Sequence, residues 1–481
     1  MSRRTKIVAT LGPATDQPEV LDRLIKAGVD VVRINLSHGT SEDHLGKAAL
    51  LRQRAAACER QVGIIADLQG PKIRITSFKD GEIYLEAGAS FAIDPKLAAD
   101  QGDDQVVGCL YQNLPQDLLP ADQVLLDDGQ IVLEVEKIDQ SRIHCRVVTG
   151  GKLSGNKGLN RLGGGLSAKS LTDKDLEDIK LAVEMGVDYL AVSFVRHAQD
   201  VYYARKMLNR AGGVKCGIIA KIERQEAIEV LDEIIDAADA IMVARGDLGV
   251  EIGDAALPPV QKRAIKRARQ MNKAVITATQ MMESMIVNSI PTRAEVFDVA
   301  NAVLDGTDAI MLSAETATGK HPIEVVEAMD RICIEAEKQR VATTSNHRIN
   351  TRFTQADEAI AMATMYTANH LGVKAIAALT ESGSTTLWMS RISSGLPIYA
   401  LSRHASTQRR VTLLRGVYPV DFDLSNGTTD HHQANREIVD ELMARGVVKK
   451  GELVIVTKGD LLGERGTTNS LKIIKVGEGQ F

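Results

Sequence analysis

The chain has 481 residues and a formal net charge of −5, and its composition is 44% apolar, 25% charged and only 3% aromatic. This length predicts about three domains of roughly 150 residues each, with cores built mainly from aliphatic side chains. The slight negative charge, without a basic stripe and interleaved aromatic residues, argues against nucleic acid as a partner. No apolar stretch in the sequence approaches the roughly 20 residues of a membrane span, so we expect no membrane association.

The cysteine content indicates a reducing compartment. The chain has five widely spaced cysteines and no Cys-x-x-Cys pair, a pattern typical of reduced thiols rather than of a disulfide framework. The apolar run that begins at Ile7 is too short for a secretory signal. We therefore expect a cytoplasmic protein.

Eight short apolar runs predict strands that are buried on both faces of a parallel sheet. Four of these runs follow a small residue and an aspartate, at Asp30, Asp188, Asp239 and Asp308. In chain order the predicted strands are Lys6–Thr10, Val31–Leu36, Gly63–Asp67, Tyr189–Val192, Gly217–Glu223, Ala240–Ala244, Ala274–Thr279 and Ala309–Leu312.

Helical signals separate most of the predicted strands. Thr172 and Thr292 are predicted helix N-caps, each with an acidic partner three residues later. Gly186 and Gly306 predict the ends of the same two helices. Eight consecutive βα units predict a (β/α)8 barrel, and an open doubly wound sheet is the alternative.

The third strand leads into a β-rich segment instead of a helix. Asp127-Asp128-Gly129 lies between two apolar runs and predicts a hairpin, and helical periodicity returns only near Leu171. We therefore predict that residues 71–168 form an inserted, mostly antiparallel lid over the carboxyl-terminal face of the barrel. Residues 1–70 and 169–343 then form the two parts of the barrel.

A separate α/β domain is predicted for residues 344–481, after a linker near Thr343–Asn346. Its predicted helices are Asp357–Leu371 and Ser384–Ile392. Its predicted strands are Lys374–Leu379, Ile398–Leu401, Val417–Phe422, Leu453–Thr457 and a last one near Lys472–Val476.

Polar residues at the carboxyl ends of barrel strands are the first candidates for a functional site, because the βα loops build it. This set contains Arg33, Asn35, Ser37, His38, Asp67, Lys221, Glu223, Arg245, Gly246, Asp247, Thr279, Gln280, Ser313 and Glu315. Its several cations predict an anionic substrate, a phosphate or a carboxylate. Glu223 and Asp247 follow adjacent strands and predict a Mg²⁺ site.

Single residues of this set also have structural explanations. Lys221 and Glu223 could form an ordinary salt bridge at a strand end, and Asp247 or Thr279 could cap a helix. Arg33 lies inside an apolar run, and a buried arginine needs a partner. The functional interpretation rests on the combination, since five strands end in complementary groups on one face.

Seven motifs in chain order resemble those of the pyruvate kinase family. They are VRINLSHG at Val32–Gly39, DLQGPKIR at Asp67–Arg74, KIE at Lys221–Glu223, MVARGDLGVE at Met242–Glu251, TATQMMESM at Thr277–Met285, PTRAE at Pro291–Glu295 and LSAET at Leu312–Thr316. The resemblance spans nearly the whole chain and is nearest to bacterial enzymes without an extra N-terminal helical domain. It implies transfer of the phosphoryl group of phosphoenolpyruvate to ADP, giving pyruvate and ATP.

The resemblance also implies residue roles. Arg33 and Lys221 would hold the transferring phosphoryl group, while Gly246, Asp247 and Thr279 would receive the substrate carboxylate. Glu223 and Asp247 would bind Mg²⁺ or Mn²⁺, and Thr279 and Ser313 would relay a proton to the enolate carbon. The residues implied for the nucleotide are Asn35, His38, Arg74 and Lys157.

A monovalent-cation site is implied at Asn35, Ser37 and Asp67. Many family members carry an acid where this chain has Lys72, and a hydroxyl residue where it has Leu68. An ammonium at Lys72 would repel K⁺ and could supply the missing charge itself. We therefore expect that K⁺ is not required.

Two expectations concern regulation and assembly. Thr380, Ser382, Ser384 and Thr385 lie between a predicted strand and helix, where hydroxyl and backbone N–H groups suit a phosphate. A loop without a ligand is the alternative. Glu381 and a late loop with only one arginine, Arg465, favour a monophosphate activator over a bisphosphate. The resemblance implies a homotetramer, in which Arg293 would reach a neighbouring subunit.

Two other functions compete with the phosphotransferase. A Mg²⁺-dependent keto-acid aldolase or lyase would share the carboxylate pair, but it would need no nucleotide lid. A regulatory homologue without activity would have lost part of the motif set, and the set in this chain is complete.

Overall fold

The computed structural model describes residues 3–339, 352–425, 430–461, 464 and 466–478. The predicted linker at Thr343–Asn346, and with it the 343/344 boundary, lies outside these residues. The domain boundaries stay predictions.

The first part of the barrel has three parallel strands and two helices. They are β1 Lys6–Thr10, α1 Pro18–Lys26, β2 Val31–Asn35, α2 Ser41–Ala57 and β3 Gly63–Asp67. α2 begins at a capping box in which the Thr40 side chain accepts a hydrogen bond from the Asp43 backbone N–H, which satisfies one of the free donors at the helix start.

The segment between β3 and the next barrel strand is β-rich, as predicted. Its elements are β4 Glu82–Leu85, β5 Ser90–Ile93, β6 Val106–Val107, α3 Leu114–Asp117, β7 Gln123–Leu126, β8 Ile131–Asp139, β9 Arg142–Thr149, β10 Gly151–Ser154 and β11 Leu159–Arg161. Six strands form one sheet in the order β11-β7-β8-β9-β5-β6, and β10 pairs with β4. The predicted hairpin is confirmed, and its turn residues Asp127, Asp128 and Gly129 all have positive φ.

The second part of the barrel contains the other five parallel strands. Its elements are α4 Asp173–Glu184, β12 Tyr189–Val192, α5 Ala198–Arg210, β13 Gly217–Ile222, α6 Gln225–Glu229, α7 Leu231–Ala237, β14 Ala240–Ala244, α8 Arg245–Ile252, α9 Leu257–Gln270, β15 Ala274–Ala278, α10 Arg293–Asp305, β16 Ala309–Leu312, α11 Ala314–Ala317 and α12 Pro322–Ala336. Thr172 and Thr292 cap α4 and α10 as predicted. Gly306 ends α10 in the left-handed conformation, which costs glycine little.

The eight parallel strands close into a barrel in the order β1-β16-β15-β14-β13-β12-β3-β2. Strands such as β1, β3 and β14 are buried over their whole length, so both of their faces contribute to apolar cores. The alternative of an open doubly wound sheet is therefore wrong.

The recurring aspartate before four strands has a structural role at the amino-terminal face of the barrel. Each carboxylate accepts the backbone N–H of a residue near the start of the neighbouring strand. The pairs are Asp30 with Ile7 at 3.0 Å, Asp188 with Ile64 at 2.9 Å, Asp239 with Ile218 at 2.7 Å and Asp308 with Val275 at 3.0 Å. The pattern therefore marks the base of the barrel, opposite the strand ends that carry the candidate site.

The C-terminal region is an α/β domain with one five-stranded sheet. Its elements are α13 Ala356–Leu371, β17 Ala375–Leu379, α14 Ser384–Ser390, β18 Ile398–Ser402, α15 Ala405–Val411, β19 Val417–Asp421, α16 His431–Ala444, β20 Leu453–Gly459 and β21 Thr468–Lys475. The strand order is β19-β18-β17-β20-β21, and only β21 runs antiparallel to its neighbour. α15 and α16 are absent from the sequence-based prediction. No helix in the described part of the chain has the length and apolar character to cross a bilayer.

Candidate active site

A cavity of about 420 Å³ opens at the carboxyl ends of five adjacent barrel strands, β14, β13, β12, β3 and β2, beside the start of the β-rich segment. It gathers most of the predicted site residues, although they are far apart in the sequence. Its lining consists of Arg33, Asn35, Ser37, His38, Asp67, Leu68, Gln69, Lys72, Arg74, Ser193, Phe194, Lys221, Glu223 and Asp247.

A buried charge cluster forms the floor of this cavity. Asp67 is 1% exposed, and its carboxylate lies 2.6 Å from Arg33 Nε and 3.3 Å from Lys221 Nζ. Burial alone would raise the pKa of Asp67, but the two cations hold that pKa below its usual value. Asp67 therefore stays ionised and orients both cations.

Lys221 is held between two carboxylates. Its Nζ lies 2.8 Å from Glu223 Oε1, in addition to its contact with Asp67. Burial alone would lower the pKa of Lys221, but the Asp67 and Glu223 charges outweigh burial and raise that pKa above its ordinary value. The ammonium group is therefore a fixed positive charge.

Ser193 is a member of this cluster that the sequence analysis did not assign to the site. Its hydroxyl accepts a hydrogen bond from Lys221 Nζ at 2.7 Å and donates one to the Leu68 carbonyl at 2.8 Å. Ser193 follows β12 directly, and β12 ends at the same face as the other strands. A signal was present, because Ser193 is the polar residue that ends the fourth predicted strand.

Glu223 and Asp247 present two carboxylates to the same cavity. Glu223 is 2% exposed, and its Oε2 accepts the Phe194 backbone N–H at 2.7 Å. Burial raises the pKa of Glu223, and the nearby Asp247 charge adds to this rise although Lys221 opposes it. Two carboxylates of this kind repel each other, and a divalent cation between them would relieve that repulsion.

Lys72 forms an ion pair across the mouth of the cavity. Its Nζ lies 3.2 Å from Oδ1 of Asp247, which belongs to the first turn of α8. Lys72 thus contacts the carboxylate of the predicted divalent site, while the Asp67 carboxylate is bound by Arg33 and Lys221. The predicted structural alternative of Asp247 as an N-cap is wrong, because the N-cap residue of α8 is Ala244.

Thr279 joins the start of α8 to the end of β15. Its hydroxyl accepts the Gly246 backbone N–H at 2.8 Å and donates to the Ala278 carbonyl at 2.7 Å. Thr279 and Gln280 have φ of 63° and 54°, and a left-handed conformation is strained for a β-branched residue such as threonine. Such strain persists only where surrounding contacts fix the backbone.

Arg245 provides these contacts. Its Nη2 donates to the carbonyls of Thr279 and Gln280 at 2.7 and 3.0 Å, and its Nη1 lies 2.8 Å from Asp298 on α10. Arg245 is 7% exposed, so the arginine is a buried support for the loop that carries Thr279.

The predicted nucleotide residues divide into two groups. Asn35, His38 and Arg74 line the cavity, and Arg74 Nη1 donates to the Asn156 carbonyl at 2.8 Å. Lys157 does not line it and instead pairs with Asp127 at 2.8 Å. Lys157 therefore lies on the β-rich segment outside the cavity.

Ser313 is also outside the cavity lining. It follows β16 and takes the N-cap position of α11, where its backbone N–H donates to Glu315 Oε2 at 2.6 Å. Burial raises the pKa of Glu315. The pair therefore supports the start of α11.

The predicted effector loop lines a second, smaller cavity in the C-terminal domain. Thr380, Ser382, Ser384 and Thr385 all contribute to it. The Glu381 carboxylate lies 2.5 Å from His404 Nε2 and 3.5 Å from Arg403 Nε, so Arg403 counters part of its charge. The late-loop arginine, Arg465, lies outside the described residues.

Comparison with known families agrees with this geometry. The model described as the pyruvate kinase barrel domain matches residues 2–326, and the one described as the pyruvate kinase alpha/beta domain matches residues 358–474. The chain belongs to the pyruvate kinase family. It is therefore a phosphotransferase, as the motifs indicate, and the aldolase or lyase interpretation is wrong.

Curated relatives match over nearly their full length. Pyruvate kinase II of Salmonella typhimurium is 54% identical over 98% of this chain and 99% of its own length. A pyruvate kinase of Haemophilus influenzae is 52% identical over 95% of this chain and 96% of its own length. One of Mycobacterium intracellulare is 42% identical, with 99% of each chain covered. These matches support an active enzyme over a silent homologue.

Proposed function

We propose that the cavity at the carboxyl ends of the barrel strands transfers the phosphoryl group of phosphoenolpyruvate to ADP. The observation that carries this proposal is the joint fixation of Arg33 and Lys221 by the buried Asp67, beside the carboxylates of Glu223 and Asp247. Phosphoryl transfer needs positioning and charge stabilisation more than covalent catalysis, and this cluster offers both.

Arg33 and Lys221 hold the transferring phosphoryl group in this proposal. Arg33 Nε is bound to Asp67 and its Nη1 donates weakly to the Thr10 hydroxyl at 3.3 Å, which leaves Nη2 to face a phosphoryl oxygen. Lys221 keeps its proton throughout, because its pKa is raised. It therefore acts as a fixed charge that stabilises the phosphoryl group in transit.

Glu223 and Asp247 hold Mg²⁺ or Mn²⁺ in this proposal. The residues fit such an ion, since two carboxylates line one cavity and Mg²⁺ in phosphate sites is commonly held by one or two carboxylates with substrate oxygens and water. The bound ion supplies charge neutralisation for the phosphoryl and carboxylate oxygens. Lys72 pairs with Asp247 Oδ1 at 3.2 Å, so Asp247 would hold the ion through its other carboxylate oxygen.

Thr279, Gly246 and Asp247 receive the carboxylate of phosphoenolpyruvate. The Gly246 N–H and the Thr279 hydroxyl already contact each other at the start of α8, where the helix favours a negative charge. Thr279 and Ser313, with water, relay a proton to the enolate carbon. Of these residues only Asp247 lines the cavity itself, so Thr279, Gly246 and Ser313 would act from just beyond its lining.

Asn35, His38, Arg74 and Lys157 face the nucleotide. The first three line the cavity, and the proposal requires Lys157 to leave its ion pair with Asp127. Such a rearrangement fits an inserted domain that acts as a lid over the barrel.

We also propose that Lys72 makes K⁺ unnecessary. Asn35, Ser37, Asp67 and Lys72 line one cavity, so the ammonium lies where it can influence a monovalent site. The side-chain oxygens of Asn35 and Asp67, which would bind a monovalent cation, already have other partners. Asn35 Oδ1 accepts the Ser37 N–H at 3.2 Å, and the Asp67 carboxylate binds two cations. A fixed positive charge in the cavity opposes a second monovalent cation.

The effector loop is proposed to bind a monophosphate activator, a sugar or nucleotide phosphate. Several hydroxyls converge on its cavity, among them Ser382, whose hydroxyl donates to Ser384 at 3.2 Å. A bisphosphate would need more cationic groups than the described loop provides. The activating concentrations of ribose 5-phosphate, AMP and fructose 1,6-bisphosphate test this, and stronger activation by the bisphosphate would contradict it.

A cytoplasmic homotetramer is the proposed assembly. Phe297 on α10 is 76% exposed and Ile290 is 73% exposed, and Arg293 lies between them in sequence at the exposed start of α10. Exposed apolar side chains beside an arginine are typical of the surfaces through which subunits contact each other. Light scattering should give four chains per particle, and a monomer at working concentration would exclude this assembly.

A coupled assay tests the main proposal. The protein should form pyruvate and ATP from phosphoenolpyruvate and ADP when Mg²⁺ is present, and Lys221→Met should abolish this at unchanged fold. An inactive wild-type protein would leave the silent homologue as the explanation. The matched control Lys180→Met changes a lysine that pairs with Glu177 on the surface of α4.

A further inference from the structure

The C-terminal domain docks on the base of the barrel through the strand-start aspartates. Arg409 Nε of α15 donates to Asp188 at 2.9 Å. Arg391, at the end of α14, forms a fully buried ion pair with Asp308. Two of the four aspartates therefore bind an arginine of the C-terminal domain directly.

The other two aspartates differ from each other. At Asp30 the link is indirect, because Lys6 lies 3.8 Å from the carboxylate and donates to the Val417 carbonyl of β19 at 2.6 Å. Asp239 instead forms an ion pair with Arg205 of the barrel itself. Contacts at three of the aspartates thus connect the barrel to the C-terminal domain, whereas the fourth, Asp239, pairs with an arginine of the barrel.

A cavity of about 380 Å³ opens at this fourth junction. Its size lies within the range of small-molecule sites. Met271 on the barrel side faces Leu387, Trp388 and Leu414 of the C-terminal domain across it, so most of its wall is apolar. Ser382 and Ser384 of the effector loop border both cavities, but the effector cavity is otherwise lined mainly by hydroxyl, glycine and acidic residues, so this cavity differs from it by its apolar wall.

Positive charge gathers at one end of the cavity. The Arg410 guanidinium lies 6.0 Å from the centre of the Tyr189 ring, and Arg410 Nε is buried without a hydrogen-bond partner in the described part of the chain. Lys273 lines the same cavity and, among the described residues, donates to the backbone carbonyls of Asp236 and Ala238. Asp239 is a nearby acid for both Arg410 and Lys273, but its Oδ2 also binds Arg205 and the Ile218 backbone N–H, so three cationic side chains share its single negative charge.

We propose that this cavity is a second ligand site that binds a small amphipathic monoanion. An aromatic or other flat apolar body lies against Trp388 and Leu414, and the acidic group points to Arg410. A neutral ligand would leave the Arg410 guanidinium at the cavity wall with only Asp239, whose carboxylate Arg205 also binds, as a nearby counter-charge, which is less favourable. An inorganic phosphate would leave the apolar wall exposed to water.

Trp388 allows a direct test, because the chain has a single tryptophan and this residue lines the cavity. The anionic probe 8-anilinonaphthalene-1-sulfonate should bind the full-length protein saturably, at one site per chain, and accept excitation energy from Trp388. Its neutral analogue N-phenyl-1-naphthylamine should bind at least about tenfold more weakly. Equal affinity of the two probes would overturn the charge assignment.

Variants locate the site. Arg410→Met keeps the side-chain length and should weaken the anionic probe by about tenfold or more, while Arg410→Lys should retain most of the affinity. Met271→Phe, which fills the cavity, should weaken both probes. Arg331→Met is the matched control on the exposed face of α12 and should bind as the wild type does.

The remaining outcomes are also decisive. Trp388→Phe should abolish energy transfer but keep the affinity that the probe's own emission reports. Probe binding that is unchanged in both Arg410→Met and Met271→Phe would place the probe elsewhere and refute the site. Thermal unfolding of each variant shows whether the fold is kept. If Arg410→Met unfolds, Met271→Phe decides, because unchanged binding of the anionic probe in that variant would place the probe elsewhere.

Discussion

Removal of the Ser193 hydroxyl tests the assignment of Lys221 most sharply. The Lys221 ammonium donates a hydrogen bond to Ser193 Oγ at 2.7 Å and forms ion pairs with Glu223 Oε1 at 2.8 Å and Asp67 Oδ1 at 3.3 Å. Ser193→Ala leaves only the two carboxylates, so the ammonium is drawn towards them. The Leu68 carbonyl also loses its donor.

The expected magnitude follows from the charge of the donor. A hydrogen bond to a charged group contributes about 1.5–3 kcal/mol, and each 1.36 kcal/mol of barrier changes a rate about tenfold. If the contact keeps Lys221 in its catalytic position, kcat should fall about 10- to 100-fold. The KM for phosphoenolpyruvate should change much less, because Arg33 keeps its own contact with Asp67 at 2.6 Å.

The measurement is a steady-state coupled assay at saturating Mg²⁺ with both substrates varied. Ser141→Ala is the matched control, since the Ser141 hydroxyl also donates to a carboxylate, Asp94 at 3.1 Å, but lies in the β-rich segment away from the cavity. Ser193→Thr keeps the hydroxyl and should recover part of the activity. A kcat within about twofold of the wild type in Ser193→Ala, with the fold intact, would refute the positioning role.

Three other predictions concern the proposed metal ligands, Lys72 and the buried Lys6. Glu223→Gln and Asp247→Asn should each weaken Mg²⁺ binding in a calorimetric titration and remove most of kcat, and normal turnover in either variant at ordinary Mg²⁺ would exclude the assigned ligand. The wild type should be fully active without K⁺. Lys72→Glu should lose activity in K⁺-free, Na⁺-free buffer and regain part of it when K⁺ is added. A wild type whose activity rises about tenfold with K⁺, roughly 1.4 kcal/mol, would contradict this role of Lys72. A third prediction concerns Lys6 at the base of the barrel, because burial lowers its pKa to about 8. The folded state binds this proton less tightly than the unfolded state, so the loss of folding stability caused by the buried ammonium is largest below pH 8. The unfolding midpoint of the wild type should therefore improve relative to Lys6→Met as the pH rises from about 7 to about 10, and a constant difference would mean that Lys6 is not desolvated.

The barrel strands could be predicted because burial on both faces leaves continuous apolar runs. The predicted ends were one residue too long at Leu36, Glu223 and Thr279, since the strands stop at Asn35, Ile222 and Ala278. At Glu223 and Thr279 the polar side chain turns away from the strand, whereas Leu36 continues into the apolar core after the strand has ended, and local sequence does not distinguish either case from a continuing strand. α16 was overlooked although the sequence carries its signals, since Asp430 caps its start and Gly446 follows its C-cap in the left-handed conformation. α15 has no side-chain cap, so the sequence offers less to identify it.

Most candidate site residues could be predicted because barrel topology brings all strand ends to one face. Ser193 was missed because a lone serine after an apolar run has no distinctive chemistry in the sequence. Its role depends on distances to Lys221 and Leu68 that only the closed barrel fixes. Lys72 was singled out from its sequence position, but its contact with Asp247 depends on how the β-rich segment lies over the barrel.

The backbone at Thr279 shows why part of a site lies beyond sequence reasoning. A left-handed φ at a β-branched residue is locally unfavourable by about 1–3 kcal/mol, so propensity argues against the observed conformation. The conformation persists because Arg245 binds the carbonyls of both strained residues and is itself held by Asp298. Asp298 lies on α10, the helix whose exposed start carries Arg293 and Phe297. The geometry of Thr279 therefore depends on a helix at the proposed subunit interface, and a change there reaches the strained loop through a single buried arginine.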